Sequence, residues 1–331
     1  MGRTPLTETA FPAFQPRFPW IGRDLQTLRN FLDYPRPYSS GQSNIRVLFP
    51  MNDNTGDELN GVLTRPEIPK EEYPLIVLVH GLSGCEESVY MVESARYFSA
   101  LGYYVLRLNL RGSVPTQPVC SQHYHAGRVE DLDQVLHQLL ALEGLPGSFV
   151  MMGFSLGGNI LLKFMAEMGG QHPIRAAVSV SSPIDLAAAS ERFLQPRNRL
   201  YHRWVLRHMK REALAQKGLS ARESAAVRHA RTIYEFDDRV IAPRNGFRDA
   251  REYYTRCSAV HSLCDIRIPT LVIHALDDPW IPEHSYLNFN WSSNPWLTPV
   301  LPLAGGHVGF HDAEGTWHNR VVSIFLDRVY E

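Results

Sequence analysis

The sequence predicts a mostly parallel, doubly wound α/β sheet interrupted by an inserted helical cap. Three observations carry that expectation. Leu75-Ile76-Val77-Leu78-Val79 is apolar at every position, as a strand covered on both faces must be. From there, strand-like runs alternate with helix-period segments, the pattern of a parallel sheet wound by helices. Between about residues 183 and 255 the alternation stops and gives way to charged, helix-forming sequence.

In chain order, residues 1–44 form an arm rich in proline and aromatics, including Phe11, Phe14, Phe18, Trp20, Tyr34, Pro35 and Pro37, with one short helix near Asp24 to Leu32. Arg46 to Phe49 and Leu59 to Thr64 read as the first, antiparallel strands. After Leu75–Val79 come a helix from Ser88 to Leu101, a strand from Tyr104 to Leu108, and a helix from Gly127 to Leu142. The strand around Phe149 runs into a helix opening near Ser155, followed by the strand Ala176–Val180. Beyond the helical stretch, Thr270 to His274 is again a strand, Leu297 to Leu301 the last strand, and Trp317 to Val329 the closing helix. The organisation expected is an arm at 1–44, a core made of 45–182 and 256–331, and a cap at 183–255.

Composition narrows the function classes. The 331 residues are 44% hydrophobic with a net charge of −1, which allows a large core and gives no global field for nucleic acid. Cys85, Cys120, Cys257 and Cys264 are sparse and form no Cys-x-x-Cys pair, as in a reducing compartment. No stretch reads as a signal peptide or a membrane span, so a cytoplasmic location is expected. The cap is locally basic: eleven Lys and Arg from Arg192 to Arg231 face only Glu191, Glu212 and Glu223. A solvated helix face is the plain reading of that excess; peripheral contact with anionic lipid is the functional one. Stacking aromatics for a nucleic-acid groove are not interleaved there.

Gly153-Phe154-Ser155-Leu156-Gly157 lies where the apolar run Phe149–Met152 gives way to helical sequence. A serine on such a tight strand-to-helix turn projects its hydroxyl as a nucleophile, and the flanking glycines leave room for the bend. The serine needs a base, and the base needs an orienting acid. Where such an elbow occurs, acid and histidine follow in that order along the chain. Asp277-Asp278-Pro279-Trp280-Ile281-Pro282 follows a strand, and acids at the C-terminal ends of parallel strands face the ligand crevice. Asp278, four residues before Pro282, is expected to be the acid, with Asp277 a turn residue. In Ala304-Gly305-Gly306-His307-Val308-Gly309-Phe310, glycines flank His307, the expected base; His311 is a neighbour. The oxyanion donors expected are the backbone N–H groups of Leu156 and of Leu82 in His80-Gly81-Leu82-Ser83-Gly84, with His80 ordering that loop. His123-Tyr124-His125 has metal-like spacing without further ligands nearby in sequence, so no metal and no cofactor are expected. Asp237-Asp238 reads as a helix cap or an arginine partner, and Tyr253-Tyr254 as packing between cap and core.

These residues resemble the AB-hydrolase 4 esterase family of the α/β-hydrolase superfamily, which has bacterial members of esterase type and eukaryotic medium-chain phospholipases. The resemblance spans nearly the whole chain. It includes Leu25-Gln26-Thr27-Leu28, His80–Gly84, Asn109-Leu110-Arg111-Gly112, Tyr124-His125, Gly153–Asn159, Glu235–Asp238, Tyr253-Tyr254, Asp277–Pro279 and Gly305–Phe310. One position departs: Asp24 stands where the family pattern has a histidine. The resemblance implies a triad at Ser155, Asp278 and His307. It leads us to expect a serine ester hydrolase acting on short- to medium-chain or lipid-derived esters, without the membrane anchor of the eukaryotic members. An acyltransferase or thioesterase using the same acyl-serine is the near alternative, and a non-catalytic lipid- or partner-binding protein on this fold the more distant one. The sequence leaves the oligomeric state open.

Overall fold

The computed structural model describes residues 11–32 and 43–330. Tyr34, Pro35 and Pro37, counted above among the residues of the arm, lie outside the described residues, as do residues 1–10.

The chain runs α1 (Arg23–Leu32), β1 (Ser43–Pro50), β2 (Glu58–Arg65), β3 (Leu75–Val79), α2 (Val89–Ala100), β4 (Val105–Asn109), α3 (Glu130–Leu140), β5 (Phe149–Phe154), α4 (Leu156–Glu167) and β6 (Ile174–Val180). Helices α5 (Leu186–Leu194), α6 (Arg199–Ala215), α7 (Ala221–His229), α8 (Ile233–Phe236), α9 (Ala242–Arg244) and α10 (Ala250–Cys257) follow, with a π-helical turn at Asp237–Ile241. The chain then returns to the sheet with β7 (Thr270–Ile273), α11 (His284–Leu287) and β8 (Leu297–Val300). A small hairpin, β9 (His311–Asp312) with β10 (Gly315–Thr316), precedes α12 (Trp317–Tyr330).

The eight-stranded sheet has the order β1-β2-β4-β3-β5-β6-β7-β8. Strand β2 pairs antiparallel with β1 and β4, and every pairing from β4 to β8 is parallel. The two-residue side-chain period of a strand explains the two core layers. Leu75, Val77 and Val79 of β3 join Leu132, Leu136 and Leu161 on one face, while Ile76 and Leu78 join Phe98, Val321 and Phe325 of α2 and α12 on the other. The helices between β6 and β7 enclose their own apolar cluster around Phe193, Val205, Met209 and Phe236.

Three expectations need correction. The strand read as Thr270–His274 ends at Ile273; His274 is buried with its ring stacked on Tyr286, 3.8 Å between centroids. The helix read from Gly127 starts at Glu130, because 125–129 are taken up by turns such as Arg128 N–H to the His125 carbonyl. The β9–β10 hairpin was not anticipated, since two-residue strands carry no readable periodicity. Among the described residues no helix is long and apolar enough to cross a membrane.

Candidate active site

Four loops at the C-terminal ends of β3, β5, β7 and β8 meet at one point, where a parallel sheet gathers ligand-binding residues. Ser155 ends β5 with φ 50 and ψ −125. That backbone conformation is costly for a side chain with a Cβ and persists only where the surroundings impose it. Here the surroundings are glycines. A Cβ on Gly157 would lie 2.3 Å from the His80 carbonyl oxygen, one on Gly153 would lie 2.5 Å from the Gly157 oxygen, and one on Gly81 would lie 2.9 Å from the Ser155 Cβ.

His307 Nε2 lies 2.9 Å from Ser155 Oγ, and His307 Nδ1 lies 2.8 Å from Asp278 Oδ2. The carboxylate requires the Nδ1–H tautomer, so Nε2 is free to accept from the hydroxyl. Asp278 is fully buried, and its Oδ1 accepts the N–H groups of Trp280 (2.8 Å) and Ile281 (3.0 Å). Burial pushes its carboxyl up, but the charge and hydrogen bond of His307 hold it below the usual carboxylate range. The Trp280 ring stacks on the imidazole, with centroids 4.4 Å apart.

The loop carrying His307 is tied down from several sides. The His307 N–H donates to Thr27 Oγ1 (2.9 Å) and the Val308 N–H to Ser181 Oγ (3.1 Å), while Asn30 Nδ2 donates to the Val308 carbonyl (2.8 Å). Asp277 accepts the Gly306 N–H at 2.9 Å. Gly306 has φ 61, and a Cβ there would sit 2.5 Å from the Arg23 carbonyl oxygen. His311 is buried, its N–H and C=O bracketed by the Gln26 side chain and its ring bonded to Arg29.

On the opposite side, His80 is buried and neutral; burial lowers its pKa to about 4. Its Nδ1–H faces the Gly81 carbonyl (2.8 Å) and its Nε2 accepts the Leu110 N–H (3.0 Å). The Gly81 N–H donates to the Tyr90 hydroxyl and the Ser83 N–H to the Tyr124 hydroxyl. The N–H groups of Leu82 and Leu156 have no partner among the described residues.

Sequence reasoning assigned the arm no role, yet Gln26, Thr27 and Asn30 of α1 hold the His307 loop. It also misread Asp237 as a cap. The carboxyl is buried, accepts the Tyr254 hydroxyl at 2.7 Å, and is raised by burial to about 7. Its neighbour Asp238 accepts the N–H of Ala250, the first residue of α10, whose N-cap is Asp249. Tyr253 accepts the Ala126 N–H. Among the described residues, the ligand atoms of Asp133, His137 and His172 lie within 4.8 Å of one another and offer the one cluster with metal-binding chemistry. None of the three lines the cavities at Ser155.

Ser155 and His307 open into a cavity of about 390 Å³ walled by apolar side chains, among them Val89, Leu186, Phe193, Val205, Trp204 and Trp280. The arrangement places an oriented hydroxyl, a base, two unpaired N–H groups and an apolar recess together, the parts an acyl-transfer site uses.

Residues 74–314 match the family described as alpha/beta hydrolase fold. It belongs to that family. The chain is 36% identical over 244 residues to the protein named "Putative esterase YheT" of Escherichia coli, a match covering 72% of this chain and 70% of that one. It is 31% identical to the mouse phospholipase ABHD3 over 78% of this chain and 62% of the relative, so it spans somewhat less than two thirds of that protein. Among solved structures, an esterase of Pyrococcus furiosus superposes with a TM-score of 0.60 at 16% identity, covering 89% of this chain and 97% of the other. That likeness shows the α/β-hydrolase fold alone, which the sheet order and the elbow at Ser155 already display.

Proposed function

We propose that this hydrolase, of carboxylesterase and lipase type, cleaves esters through an acyl-enzyme on Ser155. One observation carries the reading: the unbroken row from Asp278 through His307 to Ser155, with contacts of 2.8 and 2.9 Å, opening into an apolar cavity. The hydroxyl oxygen attacks the ester carbonyl as its proton passes to His307 Nε2. Asp278 stabilises the imidazolium. The N–H groups of Leu82 and Leu156 receive the developing oxyanion, a contribution of about 3–4 kcal/mol where one such donor has been removed elsewhere. His307 then protonates the leaving alcohol, and a water deprotonated by the same imidazole releases the acid. The recess fits short- to medium-chain or lipid-derived acyl groups, and residues 183–255, with helices α5 to α10, serve as the cap over it.

A fluorophosphonate probe should label Ser155 in the wild type and leave Ser155→Ala unlabelled. Hydrolysis of p-nitrophenyl esters should fall by about 10⁴–10⁶-fold in that variant. Undiminished turnover would refute the mechanism.

A second element of the proposal is contact with anionic lipid. Arg199, Arg203, Arg207 and Arg211 follow one another at four-residue spacing along α6, all exposed, beside exposed Leu200 and Trp204. Such a face suits an anionic lipid surface. The protein should sediment with vesicles containing phosphatidylserine at low salt and be released at high salt. Absent or salt-insensitive binding would refute the lipid contact and leave the arginines a solvated face.

A further inference from the structure

A second cavity, of about 290 Å³, abuts the apolar one. The two share Leu82, Leu156, Met209, Asp237 and Tyr253. Two of those five, Leu82 and Leu156, are the residues whose N–H groups are unpaired, so the wall between the chambers stands beside the oxyanion donors, while Ser155 and His307 line the apolar chamber. The chambers differ in chemistry. Beyond the shared wall, the second sets Gln122, His123, Glu212, Gln216 and Arg244 among apolar side chains such as Phe236 and Val240.

Glu212, Gln216 and Asp237 are buried, His123 and Arg244 partly so, and some of these groups are unused. The His123 Nδ1–H faces the Tyr124 carbonyl at 2.9 Å. In the neutral ring this leaves Nε2 as an acceptor, buried and without a hydrogen-bond partner among the described residues. It stands 3.8 Å from Glu212 Oε2, beyond hydrogen-bond reach. Glu212 is 3% exposed and receives the hydroxyls of Ser83 and Tyr124. Among the described residues, Gln216 Nε2 is a buried donor without a partner, and the Asp237 carboxyl receives only the Tyr254 hydroxyl. Unmet acceptors and an unmet donor lining one chamber call for a group that both donates and accepts.

A hydroxyl does both. A phosphate does not fit: it would meet the buried Glu212 carboxylate, while the Arg244 guanidinium is engaged by Glu223 at 3.0 Å. A quaternary ammonium would leave the Gln216 donor unanswered.

We infer that this chamber is the leaving-group site and that it selects esters of neutral, hydroxyl-bearing alcohols, with the acyl chain in the apolar cavity. The inference rests on the acyl-enzyme reading above. Asp237, on a π-helical turn between the chambers, would read the hydroxyl nearest the scissile bond, and such turns are frequent at functional sites.

The test compares three decanoyl esters on one enzyme: the glycerol monoester, the ethyl ester and the glycerophosphocholine monoester. The wild type should favour the glycerol ester over the ethyl ester by about 100-fold in kcat/KM, since a site built to bond a hydroxyl rejects the analogue without one. Gln216→Leu and Asp237→Asn should each reduce that ratio by about tenfold or more. A wild-type ratio near one would overturn the inference, as would preference for the phosphocholine ester or variants that slow both neutral esters equally. Fluorophosphonate labelling separates the two levels. A labelled enzyme without preference defeats the leaving-group site alone, whereas an enzyme that is neither labelled nor active defeats the acyl-enzyme reading and this one with it.

Discussion

A methyl group on Gly157 would stand 2.3 Å from the His80 carbonyl oxygen and 2.6 Å from that of Val79. Both are backbone atoms and cannot swing aside. Gly157→Ala should therefore lower stability by about 1–3 kcal/mol, read as a shift of the urea midpoint, and reduce fluorophosphonate labelling. Gly147→Ala is the control, because a Cβ there has nothing within 4 Å; equal midpoints for the two variants would contradict this account. Ser155, Asp278 and His307 were legible in the sequence because each lies in a loop marked by glycine or proline bends after an apolar run. Asp237 was not: its chemistry comes from burial and from the Tyr254 hydroxyl, 17 residues away. An Asp-Asp pair in charged, helix-forming sequence gives no sign of either.

Among the elements, α1 carries more than its position in an arm suggests. Its Thr27 hydroxyl donates to the Arg23 carbonyl and accepts the His307 N–H, whose chain position is 280 residues distant. No local pattern announces a partner so far away, whereas the strands and major helices declare themselves through periodicity. Thr27→Val keeps the shape but leaves a buried N–H unpaired, at a cost of about 1–3 kcal/mol. Because the loss falls on the placement of the imidazole, kcat should fall by about 10–100-fold with KM little changed, and Thr27→Ser should restore it. Stopped-flow acylation of the three proteins measures this; a loss confined to KM would show that the hydroxyl does not position His307. Another face of α1 reaches the other way, through Asp24 to Arg197 (2.9 Å) and Tyr201 (2.9 Å) and, two turns on, through Phe31 to Trp204. The departure at position 24 is thus accommodated by contacts of its own.

Over the whole molecule, buried neutral histidines govern the response to acid. Burial lowers His80 and His274 to about 4, His318 to about 3, and His311 to about 2, the last two also under Arg320 and Arg29. In the unfolded chain each titrates near an ordinary value of about 6.5. Above that pH neither state binds the proton and stability is unaffected. Below it the unfolded state binds protons that the folded state refuses, so each histidine removes up to about 1.4 kcal/mol per pH unit until its own lowered pKa is reached. Calorimetry should find Tm flat above pH 7 and falling steeply from about pH 6.5 downward; a flat Tm down to pH 5 would contradict it. The sheet that buries these rings was readable from apolar runs, but which of the 14 histidines lie inside it depends on tertiary packing that periodicity does not encode. The same packing ties α6 to α1 and α1 to the loop of the base. A substrate that pressed α6 outward would therefore strain the helix whose Thr27 hydroxyl holds the His307 backbone.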